Sequence, residues 1–94
     1  MKVKLIKSPR KEKKWRILLQ TGTHVDFGQK GYSDYTLHKD PVRMKRYLER
    51  HAKMHENWSN IKTAGFWARW LLWSKPSLGA AKKLIESRFR VKFI

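Results

Sequence analysis

Hydrophobic and polar residues alternate at the start of the chain. In the segment MKVKLIK, Met1, Val3 and Leu5 fall on one side, and Lys2 and Lys4 fall on the other. A period of two residues is typical of a strand with one buried face, so this segment is predicted to be a strand. The next stretch, SPRKEKK, contains a proline and no apolar residue, which indicates an exposed loop.

Two further strands are predicted after this loop. The segment WRILLQ, residues 15–20, favours a strand, and a turn at Gly22 leads into VDF, residues 25–27, which completes a hairpin. The glycine-bracketed loop GQKG follows, and residues 32–36 favour turns or strands over helix. The C-terminal segment FRVKFI alternates again, and we expect it to add a strand to the N-terminal sheet.

Three helices are predicted in the second half of the chain. Each follows a residue whose side chain can cap free backbone N–H groups, and the first has proline at its first position. The caps and approximate extents are Asp40 for 41–55, Thr63 for 64–74, and Ser77 for 78–88. With the strands, this pattern predicts an α+β fold in which a small antiparallel sheet packs with three short helices as one domain.

The first predicted helix is amphipathic. At about 100° per residue, its apolar and aromatic side chains gather on one face and its charged side chains on the other. The face expected to be buried carries Met44, Tyr47, Leu48, His51 and His55, and the exposed face carries Lys45, Arg46, Glu49, Arg50 and Lys53. In the third helix, the residues expected to face inward are Leu78, Ala81, Leu84, Ile85 and Phe89.

The stretch TAGFWARWLLW, residues 63–73, is apolar around its whole circumference when drawn as a helix. Such a helix is normally buried, although a short chain cannot easily surround one. In one interpretation, Trp67 and Leu71 meet the sheet and the other rings cover the remaining helices. In the other, part of the opposite side stays accessible and docks a partner protein. The candidate partner-binding residues are Phe66, Arg69, Trp70 and Trp73.

The composition adds a strong positive charge. The chain has 23 Lys and Arg against seven Asp and Glu, a formal net charge of +16. An anionic partner, such as DNA, an acidic protein or an acidic membrane surface, would relieve the resulting self-repulsion, although the charge could also be a coat that only maintains solubility. The candidate polyanion-binding residues are Lys11, Lys13, Lys14, Lys45, Arg46, Arg50, Lys53, Lys82 and Lys83. We expect a basic N-terminal strand or arm over residues 1–14 and an aromatic-rich core over 15–94.

Catalytic and metal chemistry have little support in the sequence. There is no cysteine, no Gly-x-Ser-x-Gly motif and no phosphate-cradling glycine loop. Asp34 could transfer protons or, more simply, cap the backbone amides of its loop. His51 and His55, four residues apart, could bind a metal if a further ligand completed the site, or could pack as polar-tipped groups. The candidates for that further ligand are His24, His38, Asp26 and Asp34. We expect no enzymatic activity, no cofactor, no metal and no small-molecule substrate.

No apolar run approaches the roughly 20 residues that span a bilayer, and the N-terminal segment lacks the long apolar stretch of a signal peptide. We therefore expect neither a membrane-spanning segment nor a secretory signal. Any DNA binding should use phosphate contacts without base readout, because no zinc finger, RNP-type aromatic sheet or helix-turn-helix pattern is present.

Several motifs together resemble a known group of proteins. VDFGQKGYSDYTLHKD, RYLERH, ENW and TAGFWARWLLWSKPSL are similar to a short uncharacterised protein family of nucleocytoplasmic large DNA viruses, of the iridovirus and algal-virus type. The resemblance covers about residues 14–89. It implies no activity and no site residues. It implies a viral protein that works inside the host cell, in the cytoplasm or nucleus during assembly, and is packaged in the virion.

Two functional hypotheses follow. In the first, the protein is a non-enzymatic structural component of the particle, a minor capsid or capsid-lining protein. Its aromatic helix would dock on other virion proteins such as capsid proteins, and its basic faces would meet acidic protein, membrane or genome. In the second, it is a sequence-nonspecific nucleic-acid-binding protein that coats or condenses viral DNA. The lack of base-stacking signatures favours the first hypothesis, and the sequence leaves the oligomeric state open.

Overall fold

The structure is a computed structural model that describes residues 1–54 and 57–94. Four strands, β1 (Lys2–Lys7), β2 (Lys13–Leu19), β3 (His24–Gln29) and β4 (Lys92–Phe93), form one sheet in the order β3-β2-β1-β4. The helices are α1 (Tyr35–His38), α2 (Pro41–Lys53), α3 (Ala64–Trp67), which continues as a π-helical turn (Ala68–Leu72), and α4 (Leu78–Phe89). The predicted α+β class is confirmed.

The N-terminal strands alternate as the sequence predicts. The buried side chains of β1 to β3 are all at odd-numbered positions, namely Val3, Ile17, Leu19, Val25 and Phe27. Even-numbered positions carry the polar side of the sheet, where Arg16 and Asp26 are direct cross-strand partners. One face of the sheet therefore supplies the core and the other stays polar.

The C-terminal strand joins the sheet next to β1, as expected, but it pairs parallel to β1. The sheet is therefore mixed, whereas an antiparallel sheet was predicted. Helix α4 ends at Phe89, and the left-handed backbone of the next residue, Arg90 (φ 52°), turns the chain back towards β1. The amide of Lys92 then donates to the carbonyl of Met1 at 2.8 Å, and that of Ile94 to Val3 at 2.9 Å.

A short helix forms in the segment where the sequence favoured a turn or strand. The carboxylate of Asp34 accepts a hydrogen bond from the amide of Thr36 at 2.9 Å and so caps α1. This capping confirms the simpler of the two roles considered for Asp34. Lys39, with a φ of 57°, ends α1, and Asp40 then caps α2 by accepting from the amide of Val42 at 2.9 Å. The prediction missed α1 because a single capped turn leaves no hydrophobic period.

Helix α2 begins at the predicted residue. It extends to Lys53, and the predicted end at His55 lies outside the described residues. The predicted inner face does point towards the rest of the protein, but it is only partly buried. Tyr47 is buried, whereas Met44, Leu48 and His51 are half-buried. The residues of its predicted outer face are all exposed, namely Lys45, Arg46, Glu49, Arg50 and Lys53.

The helix over residues 64–72 differs from the regular α-helix that was predicted over 64–74. Thr63 caps it as expected, by accepting from the amide of Phe66 at 3.2 Å. The helix then widens into the π-helical turn at Ala68 and ends at Leu72. Helix α4, capped by Ser77, ends at Phe89, one residue beyond its predicted end. Of its predicted inward residues, Ala81 and Ile85 are buried and the other three are half-buried.

Trp67 occupies the centre of the core and has no exposed surface. Its ring lies 4.8 Å from that of Phe66, 6.3 Å from that of Phe93 and 6.5 Å from that of Phe27, measured between centroids. Its indole Nε1 donates to the carbonyl of Ile61 at 2.6 Å, so that the one polar atom of the ring is satisfied. The predicted packing of Trp67 and Leu71 inside their own domain is confirmed.

Gly28, near the end of β3, touches the π-helical turn. Its φ is +75°, and a Cβ atom on it would lie 3.0 Å from Cδ1 of Leu72. Gly22, in the β2–β3 turn, has a φ of +92° and open space around it. The two glycines thus share a backbone conformation that favours glycine but differ in the room available for a side chain.

We predict that Gly28→Ala destabilises the protein more than Gly22→Ala. Both variants place an L-residue at positive φ, at a cost of about 1–2 kcal/mol, and only Gly28→Ala adds a steric contact with Leu72. Gly79→Ala, within α4 and with open space around it, should instead stabilise by about 0.5–1 kcal/mol. Urea denaturation of the three variants measures these differences. Equal losses for Gly28→Ala and Gly22→Ala would show that the Leu72 contact relaxes without cost.

Candidate functional site

The aromatic side chains proposed for partner docking are largely inside the protein. Some of the three rings Phe66, Trp70 and Trp73 were expected to stay accessible, but Phe66 has no exposed surface and Trp70 is only 7% exposed, so the fold itself covers these two. The Trp70 indole Nε1 donates to the carbonyl of Trp58 at 2.8 Å. Trp73 is half-buried, and its ring stacks on Tyr47 with centroids 4.0 Å apart. The rings of Phe66 and Trp70 pack against that of Phe89 in α4, at 4.9 and 5.0 Å between centroids.

Arg69 does not lie at the rim of an exposed aromatic patch. Its guanidinium carbon lies 4.1 Å from the ring centroid of Trp70 and 5.1 Å from that of Trp58. Its Nε and Nη1 atoms are buried and make no hydrogen bond. Burial, and secondarily the nearby charge of Arg88, lowers the pKa of Arg69. Arg69 therefore holds two tryptophan rings of its own chain through cation–π contacts.

A cleft of about 420 Å³ lies where the ends of β2 and β3, the turn before α1, helix α2 and the π-helical turn meet. Four basic residues line it: Lys13 and Lys14 from β2, and Arg43 and Arg50 from α2. Small residues, among them Gly28 and Gly65, also line the cleft. The cleft is therefore positively charged on both its strand side and its helix side.

Aromatic rings form one wall of this cleft. Tyr47 stacks on Trp73 with an interplanar angle of 3° and on His51 with an angle of 27°, each at 4.0 Å between centroids. His38 lies against Trp73 at 5.4 Å. This ring stack joins α2 to the end of the π-helical turn. Tyr32, by contrast, lines the cleft with 66% of its surface exposed.

Asp34, an acidic residue that also lines the cleft, is neutralised internally. It is 2% exposed, and its Oδ2 accepts from Nζ of Lys14 at 2.8 Å. Its Oδ1 accepts from the amide and the hydroxyl of Thr36. The remaining charge of the cleft wall is consequently basic.

Asp26, on the polar face of the sheet, is likewise paired with side chains of its own chain. It accepts from Nε of Arg16 at 2.8 Å and from the hydroxyl of Ser8 at 3.0 Å. These hydrogen bonds, Arg16 above all, lower the pKa of Asp26 from 3.8 to about 2. Asp26 and Asp34 are thus paired inside the protein, whereas most lysines and arginines are exposed to solvent.

The predicted basic residues do not form one site. Lys13, Lys14 and Arg50 come together at the cleft. The others are distributed elsewhere: Lys11 lies in the β1–β2 loop, Lys45, Arg46 and Lys53 on the outer face of α2, and Lys82 and Lys83 on α4. Lys82 also lies 5.4 Å from the ring centroid of Phe93.

The sequence reasoning missed Arg43 and Tyr32 as cleft residues. The spacing of Arg43, Tyr47 and Arg50, at i, i+4 and i+7, places them along one side of α2 and could have indicated a mixed basic and aromatic face. No local pattern indicated that Tyr32 would line the same cleft, because its position depends on how the turn before α1 lies relative to α2.

Within residues 1–54 and 57–94, no three His, Cys, Asp or Glu side chains are grouped so that they could hold a metal ion. His51 stacks on Tyr47, and His24 lies 3.9 Å from Asp26 through its Nε2 atom. The second residue of the histidine pair considered for metal binding, His55, lies outside the described residues. Over the same part of the chain, no helix has the length and apolar character needed to cross a membrane.

A family model described as "Family of unknown function (DUF5754)" matches residues 3–51, just over half of the chain, and the chain belongs to this family. The matched part contains β1 to β3, α1 and most of α2, and hence all four basic residues of the cleft. The helix over residues 64–72 lies beyond it. No curated protein and no solved structure matches the chain.

We predict that the protein loses stability as the pH falls from about 4 to about 2, the interval between the ordinary pKa of Asp26 and its pKa in the fold. A lowered folded-state pKa means that the ionised carboxylate stabilises the fold above the unfolded-state pKa. That contribution disappears as the carboxylate is protonated. Asp26→Asn should be less stable near neutral pH and lose less on acidification.

Chemical denaturation at a series of pH values tests this prediction. Glu49→Gln, which removes an exposed acid on α2, is the control and should keep the acid-dependent loss of the unmodified protein. An Asp26→Asn variant whose stability falls with pH as steeply as that of the unmodified protein would contradict the prediction.

We also predict that Trp70→Ala destabilises the fold about as much as Trp67→Ala, by roughly 3–5 kcal/mol. Trp70 is buried, and its loss would also free the carbonyl of Trp58 and one face of Arg69. Guanidinium melts measure both changes, with Tyr32→Ala as an exposed aromatic control. A loss below about 1 kcal/mol for Trp70→Ala would restore the docking interpretation of this ring.

Proposed function

We propose that the protein binds nucleic acid through the phosphate backbone and without sequence specificity. The observation that carries this proposal is the cleft in which Lys13, Arg43 and Arg50 converge while Asp34 is already paired with Lys14. Lysine and arginine bind phosphates as point charges and as bidentate donors, respectively. The formal charge of +16 adds a field that would steer any polyanion towards the protein.

The aromatic residues bear on the choice between the two sequence-based hypotheses. Docking on virion proteins through Phe66 and Trp70 would require surface that the core already uses. The rings of the cleft wall, in contrast, lie beside basic side chains, a combination typical of nucleic-acid sites. The geometry therefore favours nucleic-acid binding over a structural role in the particle. The viral context remains an implication of the resemblance, and in that context the protein would coat or condense the viral genome.

Nucleic-acid binding is preferred over binding to an acidic membrane or protein because of the shape of the site. A broad anionic face is best matched by an extended basic surface, whereas here basic groups from β2 and from α2 line one concave site. A phosphodiester chain is narrow enough to be contacted from both sides. The scattered lysines and arginines outside the cleft would add weaker, long-range attraction that salt screens.

We predict salt-sensitive and sequence-independent binding. Three phosphate contacts, by Lys13, Arg43 and Arg50, correspond to an affinity loss of about 40-fold for duplex DNA between about 50 and 200 mM salt, because each contact releases condensed counterions. Fluorescence anisotropy with two unrelated oligonucleotides of equal length measures both properties. Dissociation constants that do not change with salt, or that differ strongly between the two sequences, would contradict the proposal.

A further inference from the structure

We propose that the cleft receives a single strand of nucleic acid, with one base stacked on Tyr32 and adjacent phosphates bound by Arg43 and Arg50. This inference rests on the proposed function and deepens it by naming the form of nucleic acid and the place where it binds. It predicts a preference that backbone charge alone cannot produce, because a duplex and a single strand both carry phosphates.

The exposure of Tyr32 is the first support. Its ring is 66% exposed at the cleft and, among residues 1–54 and 57–94, it makes no ring–ring contact. The chain before it turns at Gly31, with a φ of +87°, and its amide donates to the carbonyl of Gln29 at 3.3 Å. This hydrogen bond fixes the backbone of Tyr32, while its ring contributes little to the core. A ring in that state is available for stacking on a base.

The second support is that the other aromatic rings of the cleft are already stacked on each other. Tyr47 lies between His51 and Trp73, at 4.0 Å from each, so both of its faces are covered. These rings already use stacking surface on one another and so form the wall of the cleft. A base that entered the cleft would therefore find its stacking surface on Tyr32.

The spacing of the two arginines is the third support. Arg43 and Arg50 are seven residues apart on α2, or about 10.5 Å along the helix axis. Both are exposed and line the cleft, with Tyr47 between them. At that separation they would contact different phosphates of one strand. Lys13 on the opposite side would contact the same strand from β2.

The size of the cleft agrees with this occupant. A volume of about 420 Å³ lies in the range of sites for small organic ligands and is suited to a nucleotide unit. Bases within a duplex are stacked on their neighbours and paired, so their faces are not available to Tyr32. Unpaired bases are the ones that aromatic side chains bind by stacking.

The test compares a thymidine oligonucleotide with a duplex of the same length, using the full chain. The single strand is expected to bind more tightly to the unmodified protein. Tyr32→Ala should weaken binding of the single strand by roughly 5- to 150-fold, the effect of losing one stacked base, and should leave the duplex unaffected. Tyr32→Phe, which keeps the ring, should bind like the unmodified protein.

A pair of double variants tests the location. Arg43→Ala with Arg50→Ala removes both cleft arginines, and Arg46→Ala with Lys53→Ala removes the same charge from the outer face of α2. Only the first pair should reduce the salt slope for the single strand by about 1.4, the value for two lost phosphate contacts. Thermal melting checks that each variant is folded.

Inorganic polyphosphate carries phosphates but no bases. Displacing the bound single strand should therefore take more phosphate charge as polyphosphate than as unlabelled oligonucleotide.

Three outcomes would overturn this inference while leaving the proposed function intact. They are equal affinity for single strand and duplex, an unchanged affinity of Tyr32→Ala, and equal effects of the two double variants, each with binding that remains salt-sensitive. Failure to bind any nucleic acid at about 50 mM salt would instead overturn the proposed function itself, and the inference with it.

Discussion

The packing of Trp67 between the sheet and the helices is the contact on which the rest of the structure depends. A chain with a formal charge of +16 repels itself when it is compact, and its 94 residues can form only a small core. Trp67 meets aromatic residues of β3 and β4 and has no exposed surface. The hydrophobic burial around this ring therefore offsets the charge repulsion and determines how closely the two layers approach.

Helix α2 is attached to this core indirectly. None of its residues belongs to the central buried cluster among the described residues, and Tyr47, its one buried residue, stacks on Trp73. The same helix carries both cleft arginines, so the ring stack that attaches α2 also sets the distance between the two basic walls. Stability and the geometry of the site are thus coupled through this aromatic stack. Asp34 pairs with Lys14 at the cleft, which leaves Lys13, Arg43 and Arg50 for a ligand, and Asp26 pairs with Arg16 elsewhere on the sheet.

The sequence revealed most of the features that local chemistry determines. A few neighbouring residues determine the alternation of β1 and the helix caps Asp40, Thr63 and Ser77. The structure confirms all of them. The parallel pairing of β4 depends on the direction in which α4 returns the chain, which no short pattern encodes. The docking prediction for Phe66 and Trp70 came from an α-helical wheel at about 100° per residue. That wheel does not hold for Trp70, which lies in the π-helical turn where more residues are used per turn. Phe66 lies in the regular turn before it and is covered by Phe89 of α4, a contact that a wheel of one helix does not show.

The π-helical turn also constrains how this sequence can vary in length. In an α-helix, one residue more or less rotates everything that follows by about 100° around the axis. The widened turn at Ala68–Leu72 has the character of a single added residue absorbed within the helix, and Trp73 comes directly after it. Loss of a residue there would allow an ordinary α-helix but would carry Trp73 away from Tyr47, and the wall of the cleft with it. The number of residues in this segment is therefore as constrained as its buried side chains, whereas the loops can change in length without moving Trp73.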